Sequence, residues 1–253
     1  MKKEILQVDE KRGIFRVTTV DERWYSRPSK NVVTGLPEYE FVPSCTWIAS
    51  HYPKGTAFYK WLANHGWDES ESLKESAGER GSRIHLAIAQ LVAGGTITPD
   101  VKYDGVELGV DEYAAVMSFR DWFETTRPEV LGSEYIVWNE EVGYAGTVDL
   151  KCKINGEVWI IDIKTGQNIW PEHELQISSY RHADTGIQKT GLLQVGYRRN
   201  KTGVKFTEIE DKFPLFLAAK AIWANETGGQ KPLQREYPMS LSIRTKVDGK
   251  LVK

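Results

Sequence analysis

The chain has 253 residues, 40% hydrophobic and 27% charged, which is enough to bury a sizeable core in one large domain. Its formal net charge of -2 excludes a global basic field, so any nucleic-acid site has to be a local patch. Its 2 cysteines, Cys45 and Cys152, lack metal-type spacing and exclude a four-cysteine iron–sulfur cluster.

"ILQVDEKRGIFRVTTV" predicts an N-terminal hairpin turning near Lys11-Arg12-Gly13. Residues 26 to 45, with Pro28, Pro37 and Pro43, read as a loop, and Ser44 or Thr46 would cap a helix after it. "GTAFYKWLANHG" and "SLKESAGERGSRIHLAIAQLVAGG" have helical spacing and end in glycine. "GVDEYAAVMSFRDWFETTRP" is a third amphipathic helix, stopped by Pro128. The strands "SEYIVWN", "AGTVDLKCKI" and "EVWIIDIKT" follow, then a helix from about Pro171 to Ala183. "LLQVGYRRNKTGVKFTEIE" reads as a second hairpin, "FPLFLAAKAIWANETGG" as a helix, and the tail from Gln234 as a strand pattern turning at Asp248-Gly249. The expectation is an α/β or α+β fold, a central mixed sheet flanked by helices, in one domain over residues 1–253. Residues 1–42 form its hairpin and loop, 43–183 its motif-bearing core, and 184–253 its C-terminal hairpin, helix and tail. The start, Met1-Lys2-Lys3-Glu4, leads into a polar segment without an apolar leader, and no run is long enough to span a membrane. With two reduced core thiols, this points to a cytoplasmic protein.

The most informative stretch is "GTVDLKCKINGEVWIIDIKTG", from Gly146 to Gly166. Asn155-Gly156 between two strand-like runs is the strongest short hairpin signal, because a type I′ turn needs positive φ at both central residues. That turn sets Ile154 opposite Glu157, Cys152 opposite Trp159, Leu150 opposite Ile161 and Val148 opposite Ile163, one apolar face. Asp149 then falls opposite Asp162 on the other face, with Lys164 two residues on. Opposed Cβ atoms lie about 4.5–5.5 Å apart, where like charges are destabilising unless a cation sits between them. Two converging hard oxygen ligands suit Mg²⁺ or Mn²⁺. The competing reading is a hairpin solvated on one side. Lys151 and Lys153 on that face favour it, and Val158 and Ile160 oppose it.

Asp149 followed by Asp162-Ile163-Lys164 on the next strand resembles the D…(D/E)-x-K core of the PD-(D/E)XK nuclease superfamily. "RGSRIH", "GYAGTVDL", "WIIDIKTG" and "LQISSY", in that order over about residues 43–183, are similar to the RecB-type exonucleases, including phage and mitochondrial genome-maintenance enzymes. Val148 stands where the superfamily's name has proline, and the clustered cysteines of its iron–sulfur members are absent. The resemblance implies a restriction-endonuclease-like core and Asp149, Asp162 and Lys164 as catalytic residues. It implies His85, Asp149, Asp162 and the Ile163 carbonyl as ligands of Mg²⁺ or Mn²⁺. Lys164 would polarise the attacking water or stabilise developing charge, or else serve only as the carboxylates' ion-pair partner. Gln176 and Tyr180, four apart on one helical face, match the family's Q-x-x-x-Y motif, which contacts substrate or supports the site. Arg80 or Arg83 would hold a DNA phosphate. Glu134 would be an accessory acid acting through a water, with Glu140 and Glu141 competing for the role. Arg198, Arg199, Lys201 and Lys205 form the best local basic patch. The function so implied is a metal-dependent DNA exonuclease of phage or bacterial recombination or DNA processing, alone, as a homo-oligomer or with a recombination partner. The alternatives are an endonuclease on the same core and a binding or assembly protein without catalysis.

Overall fold

A computed structural model describes residues 4–19, 22–30, 37–228, 245–247 and 250–252. The chain opens on a four-stranded antiparallel meander of β1 (Glu4–Asp9), β2 (Ile14–Thr18), β3 (Arg23–Lys30) and β4 (Pro37–Pro43). Its first hairpin is the expected one, with Gly13 at φ 63 closing the turn. The expected loop from 26 to 45 is instead mostly strand. The β2 ladder ends at the Phe15–Ser26 pair, so Pro28 lies beyond it with β4 as its one neighbour, and Pro37 and Pro43 lie on the edge strand. A missing N–H is tolerated at such edges.

Ser44 is the cap of α1 (Cys45–Ser50), its hydroxyl accepting from the Trp47 N–H at 3.1 Å. Both helices expected next form α2 (Thr56–Val92), broken at Gly66, where φ is 74 and ψ 173. A small hairpin that the sequence pattern did not announce, β5 (Lys102–Tyr103) and β6 (Val106–Glu107), leads into α3 (Val110–Thr126).

A five-stranded sheet follows, from β7 (Glu129–Asn139), β8 (Tyr144–Ile154), β9 (Glu157–Lys164), β10 (Lys189–Val195) and β11 (Val204–Glu208), in the order β11-β10-β9-β8-β7. Only β9 and β10 are parallel, joined across α4 (Pro171–Ala183), which makes the sheet mixed as expected. Next comes α5 (Phe213–Thr227), and a short pair, β12 (Thr245–Val247) and β13 (Lys250–Val252), carries part of the expected tail pattern. The expected turn at Asp248-Gly249 lies outside the described residues.

Period-2 alternation divides the sheet between two helical layers. Leu150, Cys152, Trp159, Ile161, Ile163, Leu193 and Val195 pack with Ile84 and Ile88 of α2 and Phe119 of α3. On the opposite face, Ile160 and Leu192 pack with Ile177 and Tyr180 of α4, Ile48 of α1 and Phe216 of α5. Ile160 is fully buried and Lys151 pairs with Asp184, just past α4, at 2.8 Å, so the hairpin is not solvated on that face. The fold is α+β, a mixed sheet between helices. The N-terminal sheet docks on the same structure through a hydrogen bond between Tyr25 and Thr147 and through the edge-on rings of Trp24, Trp47 and Trp223. Among the described residues no helix is long and apolar enough to cross a membrane.

Candidate metal and active site

Asn155 and Gly156 turn with φ 51 and 89, and the ladder pairs Ile154 with Glu157, Cys152 with Trp159 and Leu150 with Ile161, as the turn requires. Pairing stops there. Instead of continuing the ladder, Asp149 uses its side chain, with Oδ2 accepting from the Ile163 N–H at 2.6 Å. On the other side of β8 the ladder also skips one level. Ser133 faces Leu150 and Tyr135 faces Val148, while Glu134 between them has φ 50 and no partner in the register. Val148, expected on the Leu150 face, packs instead with the α4-side cluster, as does Tyr135. An irregularity of this kind beside a site re-aims side chains. Here it occurs where Glu134 and Asp149 meet His85.

His85 projects from α2 with Nδ1 3.5 Å from Asp149 Oδ1. One ligand atom each from His85, Glu134 and Asp149 lie within 4.8 Å of one another. Asp162, expected as the second metal-binding carboxylate, does not belong to this group. It is 1% exposed, and its Oδ2 lies 2.8 Å from Lys164 Nζ, a contact not aligned as a hydrogen bond. Gln176 completes the arrangement. Its Nε2 donates to Asp162 Oδ1 at 3.3 Å and to the Tyr180 hydroxyl at 2.6 Å, while its Oε1 accepts from Lys164 Nζ at 3.2 Å. The site therefore has two halves, an imidazole with two carboxylates and a carboxylate–ammonium pair, bridged by Asp149, whose charge acts on both.

The electrostatics show a place crowded with negative charge. Burial and then Asp149 push the Asp162 carboxyl up to about 6, against the opposing pull of Lys164. Desolvation and then Asp149 push Glu134 up to about 7. Burial alone would lower His85, yet the charge and hydrogen bond of Asp149, with Glu134 behind, raise it to about 9. Burial would raise Asp149, but His85, Lys164 and the Ile163 N–H hold it below the usual carboxylate range. Lys164 is raised because Asp162 and Asp149 outweigh its burial, so it stays an ammonium. Two carboxyls raised by burial and then by the charge of Asp149, one of them gathered with Asp149 and an imidazole, fit a site completed by a cation. Oxygen donors with one imidazole match Mn²⁺, and match Mg²⁺ through the oxygens.

The remaining expected residues separate clearly. Glu140 is held at 2.6 Å by Arg27, away from the group that Glu134 joins. Arg83 is bound at 2.6 Å by Glu112, a 5% exposed carboxylate that also accepts from the Gly109 N–H at the start of α3. Arg80 is half-buried, without an ion pair among the described residues, and lines a cavity. Tyr180 is 2% exposed, so it reaches the site through Gln176 and presents no face to solvent. It packs so closely that a Cβ on Gly146 would come within 2.5 Å of its ring and of Cys45 Sγ. Sequence reasoning missed Gln167, which donates to Gly196 O and accepts from Arg198 N, both at 2.9 Å. It ties the loop after Lys164 to the basic hairpin tip, and no periodicity or motif announces it.

No family model matches the chain, and no curated protein matches it. Among solved structures it is similar to an alkaline exonuclease (LHK-Exo) from Laribacter hongkongensis, at 13% identity over 73% of this chain and 85% of that one, with a TM-score of 0.39. LHK-Exo in complex with dAMP gives 14% identity, 74% and 88% coverage, and the same TM-score of 0.39.

Proposed function

We propose that the chain is a metal-dependent deoxyribonuclease of the RecB type within the PD-(D/E)XK superfamily, acting at DNA ends. The observation that carries the reading is the meeting of His85, Glu134 and Asp149 beside the Asp162–Lys164 pair at the end of β9. His85, Glu134 and Asp149 would hold a divalent cation, with the Ile163 carbonyl as a further ligand. When bound, such a cation neutralises phosphoryl charge and makes a coordinated water more acidic.

The chain's own groups supply the rest. Lys164, kept an ammonium by Asp162 and fixed in direction by Gln176, offers N–H donors to the attacking water or to the charge that develops on phosphate. Asp162 accepts from Gln176 and so holds the orientation of both. Tyr180 fixes Gln176 from within the core. Selectivity for ends comes into the reading from the resemblance to the RecB-type exonucleases, and phosphate contacts would fix the strand's register without carrying sequence information.

The test is end-labelled linear DNA and covalently closed circles, with Mg²⁺, Mn²⁺ or excess chelator, alongside Lys164→Ala. The expected result is metal-dependent, progressive loss of linear DNA, resistance of circles, and loss of cleavage in the variant. Cutting of closed circles would select the endonuclease alternative. Undetectable cleavage by the parent protein across metals and substrates would select the binding protein.

A further inference from the structure

His173 lies in the first turn of α4, three residues before Gln176 and seven before Tyr180, so the three share one face of the helix. That face meets the site, because Gln176 bonds both Lys164 Nζ and Asp162 Oδ1. His173 continues the line one turn outward, half-buried, where the charge of Lys164 reaches it. It belongs neither to the group of His85, Glu134 and Asp149 nor to the Gln176 network.

The two ring nitrogens differ. Nδ1 accepts from the Trp170 N–H at 3.3 Å, which leaves the proton of the neutral ring on Nε2. Nε2 makes no hydrogen bond among the described residues and is open to solvent. Burial, then the ammonium groups of Lys164 and Lys54, push the imidazole down to about 3, so the ring is neutral at any working pH. The nearest carboxylate in sequence, Glu172, is taken by Lys54 at 2.7 Å. A neutral imidazole with its N–H fixed on one nitrogen polarises an oxygen without taking up a proton. Each donor aimed at an oxygen where charge develops lowers the barrier.

We propose that His173 is a further catalytic residue, its Nε2–H donating to a non-bridging oxygen of the phosphate that Lys164 also meets. The proposal rests on the nuclease reading for the identity of that phosphate. Nε2 keeps its proton throughout, so hydrolysis stays balanced, with water adding at phosphorus and one of its protons passing to the leaving oxygen. Two variants separate the two nitrogens. His173→Asn places an amide oxygen where Nδ1 stands and keeps an acceptor for Trp170, but has nothing at the reach of Nε2. His173→Gln carries an amide N–H to that reach and gives up the acceptor. With end-labelled DNA and Mg²⁺ or Mn²⁺, His173→Asn should lower kcat about 10²-fold with KM within about threefold. His173→Gln should keep kcat within about tenfold of the parent. Thermal melting checks that both variants fold.

A readout without turnover separates the contact from the chemistry. With isotopically labelled histidine, the Nε2–H signal of His173, assigned by its loss in His173→Gln, should shift when a cleavage-resistant phosphorothioate oligonucleotide is added. The reverse order, His173→Asn normal and His173→Gln impaired, would make the ring only the cap of α4 and overturn the proposal. So would a rise in KM alone, the loss of a limb of the pH–rate profile in His173→Asn, or a signal that the oligonucleotide leaves in place. A chain that cuts DNA equally well in both variants refutes the donor alone. One that never cuts, while its His173 signal shifts, refutes the nuclease reading and keeps the contact.

Discussion

Glu134 is the residue at which backbone and chemistry are most tightly linked. Its φ of 50 is a left-handed conformation that costs a residue with a Cβ about 1–2 kcal/mol, and it brings one more carboxylate against Asp149. Strain held at such a position is a feature of sites rather than of scaffolds. Glycine adopts that φ freely, so metal-free Glu134→Gly is expected to be as stable as the parent within about 1 kcal/mol. The same variant should lose metal-induced stabilisation and cleavage. Chemical denaturation with and without Mn²⁺ measures both, and a large loss of stability with the metal response intact would show Glu134 to be structural. The Asp162–Lys164 pair makes a different prediction. Removing one partner of a buried pair costs up to roughly 3–5 kcal/mol, less here because the Lys164 side chain keeps 18% exposure. Asp162→Asn and Lys164→Met should each destabilise, and the double variant by clearly less than their sum. Asp162→Asn should still bind DNA while its cleavage falls by orders of magnitude. Additive losses in the double variant would mean that the two groups do not act as a pair.

The hairpin β8–β9 and the helix α4 show what pattern reveals about elements and what it leaves out. Asn155-Gly156 and period-2 alternation were enough to place Leu150 opposite Ile161, and the Q-x-x-x-Y spacing placed Gln176 and Tyr180 on one face. Alternation carries no information about an irregularity, so the end of the ladder at Asp149 and the turn of Val148 toward α4 were not legible. Nor could spacing show that Lys164 would engage Asp162 and leave Glu134 to join His85 and Asp149. The loop expected from 26 to 45 failed for a related reason. Prolines mark a loop in sequence, but an edge in a sheet whose topology is not yet known. The depth of Tyr180 changes how α4 should be tested. Tyr180→Ala would remove a 2% exposed ring from the core and cost about 3–5 kcal/mol, mostly a folding defect. Tyr180→Phe removes only the hydroxyl bonded to Gln176, about 1 kcal/mol. If α4 orients Asp162 and Lys164 through Gln176, Tyr180→Phe should lower kcat with little change in KM. A rise in KM alone would place the hydroxyl in contact with substrate.

For the whole molecule, the carboxylates and the fold pull in opposite directions. Asp149, Asp162 and Glu134 act on one another through space, and the repulsion is carried by β7, β8 and β9, three adjacent strands from the edge of the sheet to its middle. A cation that binds the folded chain relieves that repulsion, and the unfolded chain does not gather these residues. Linkage then sets the size of the effect, since a ligand at 100 times its Kd adds about 2.7 kcal/mol. For a domain of this size each kcal/mol moves Tm by roughly 2–4 °C, so saturating Mn²⁺ should raise Tm by about 5–10 °C. Mg²⁺ should give a smaller rise at equal concentration, because one donor of the set is the His85 imidazole and Mg²⁺ prefers an all-oxygen shell. His85→Ala should reduce the gap between the two metals, and Glu134→Gly should abolish both shifts. Melting curves of the three proteins across a metal titration decide the matter. A Tm that is insensitive to either metal in the parent protein would mean that the carboxylate cluster does not hold a cation, and the hydrolytic mechanism would fail with it.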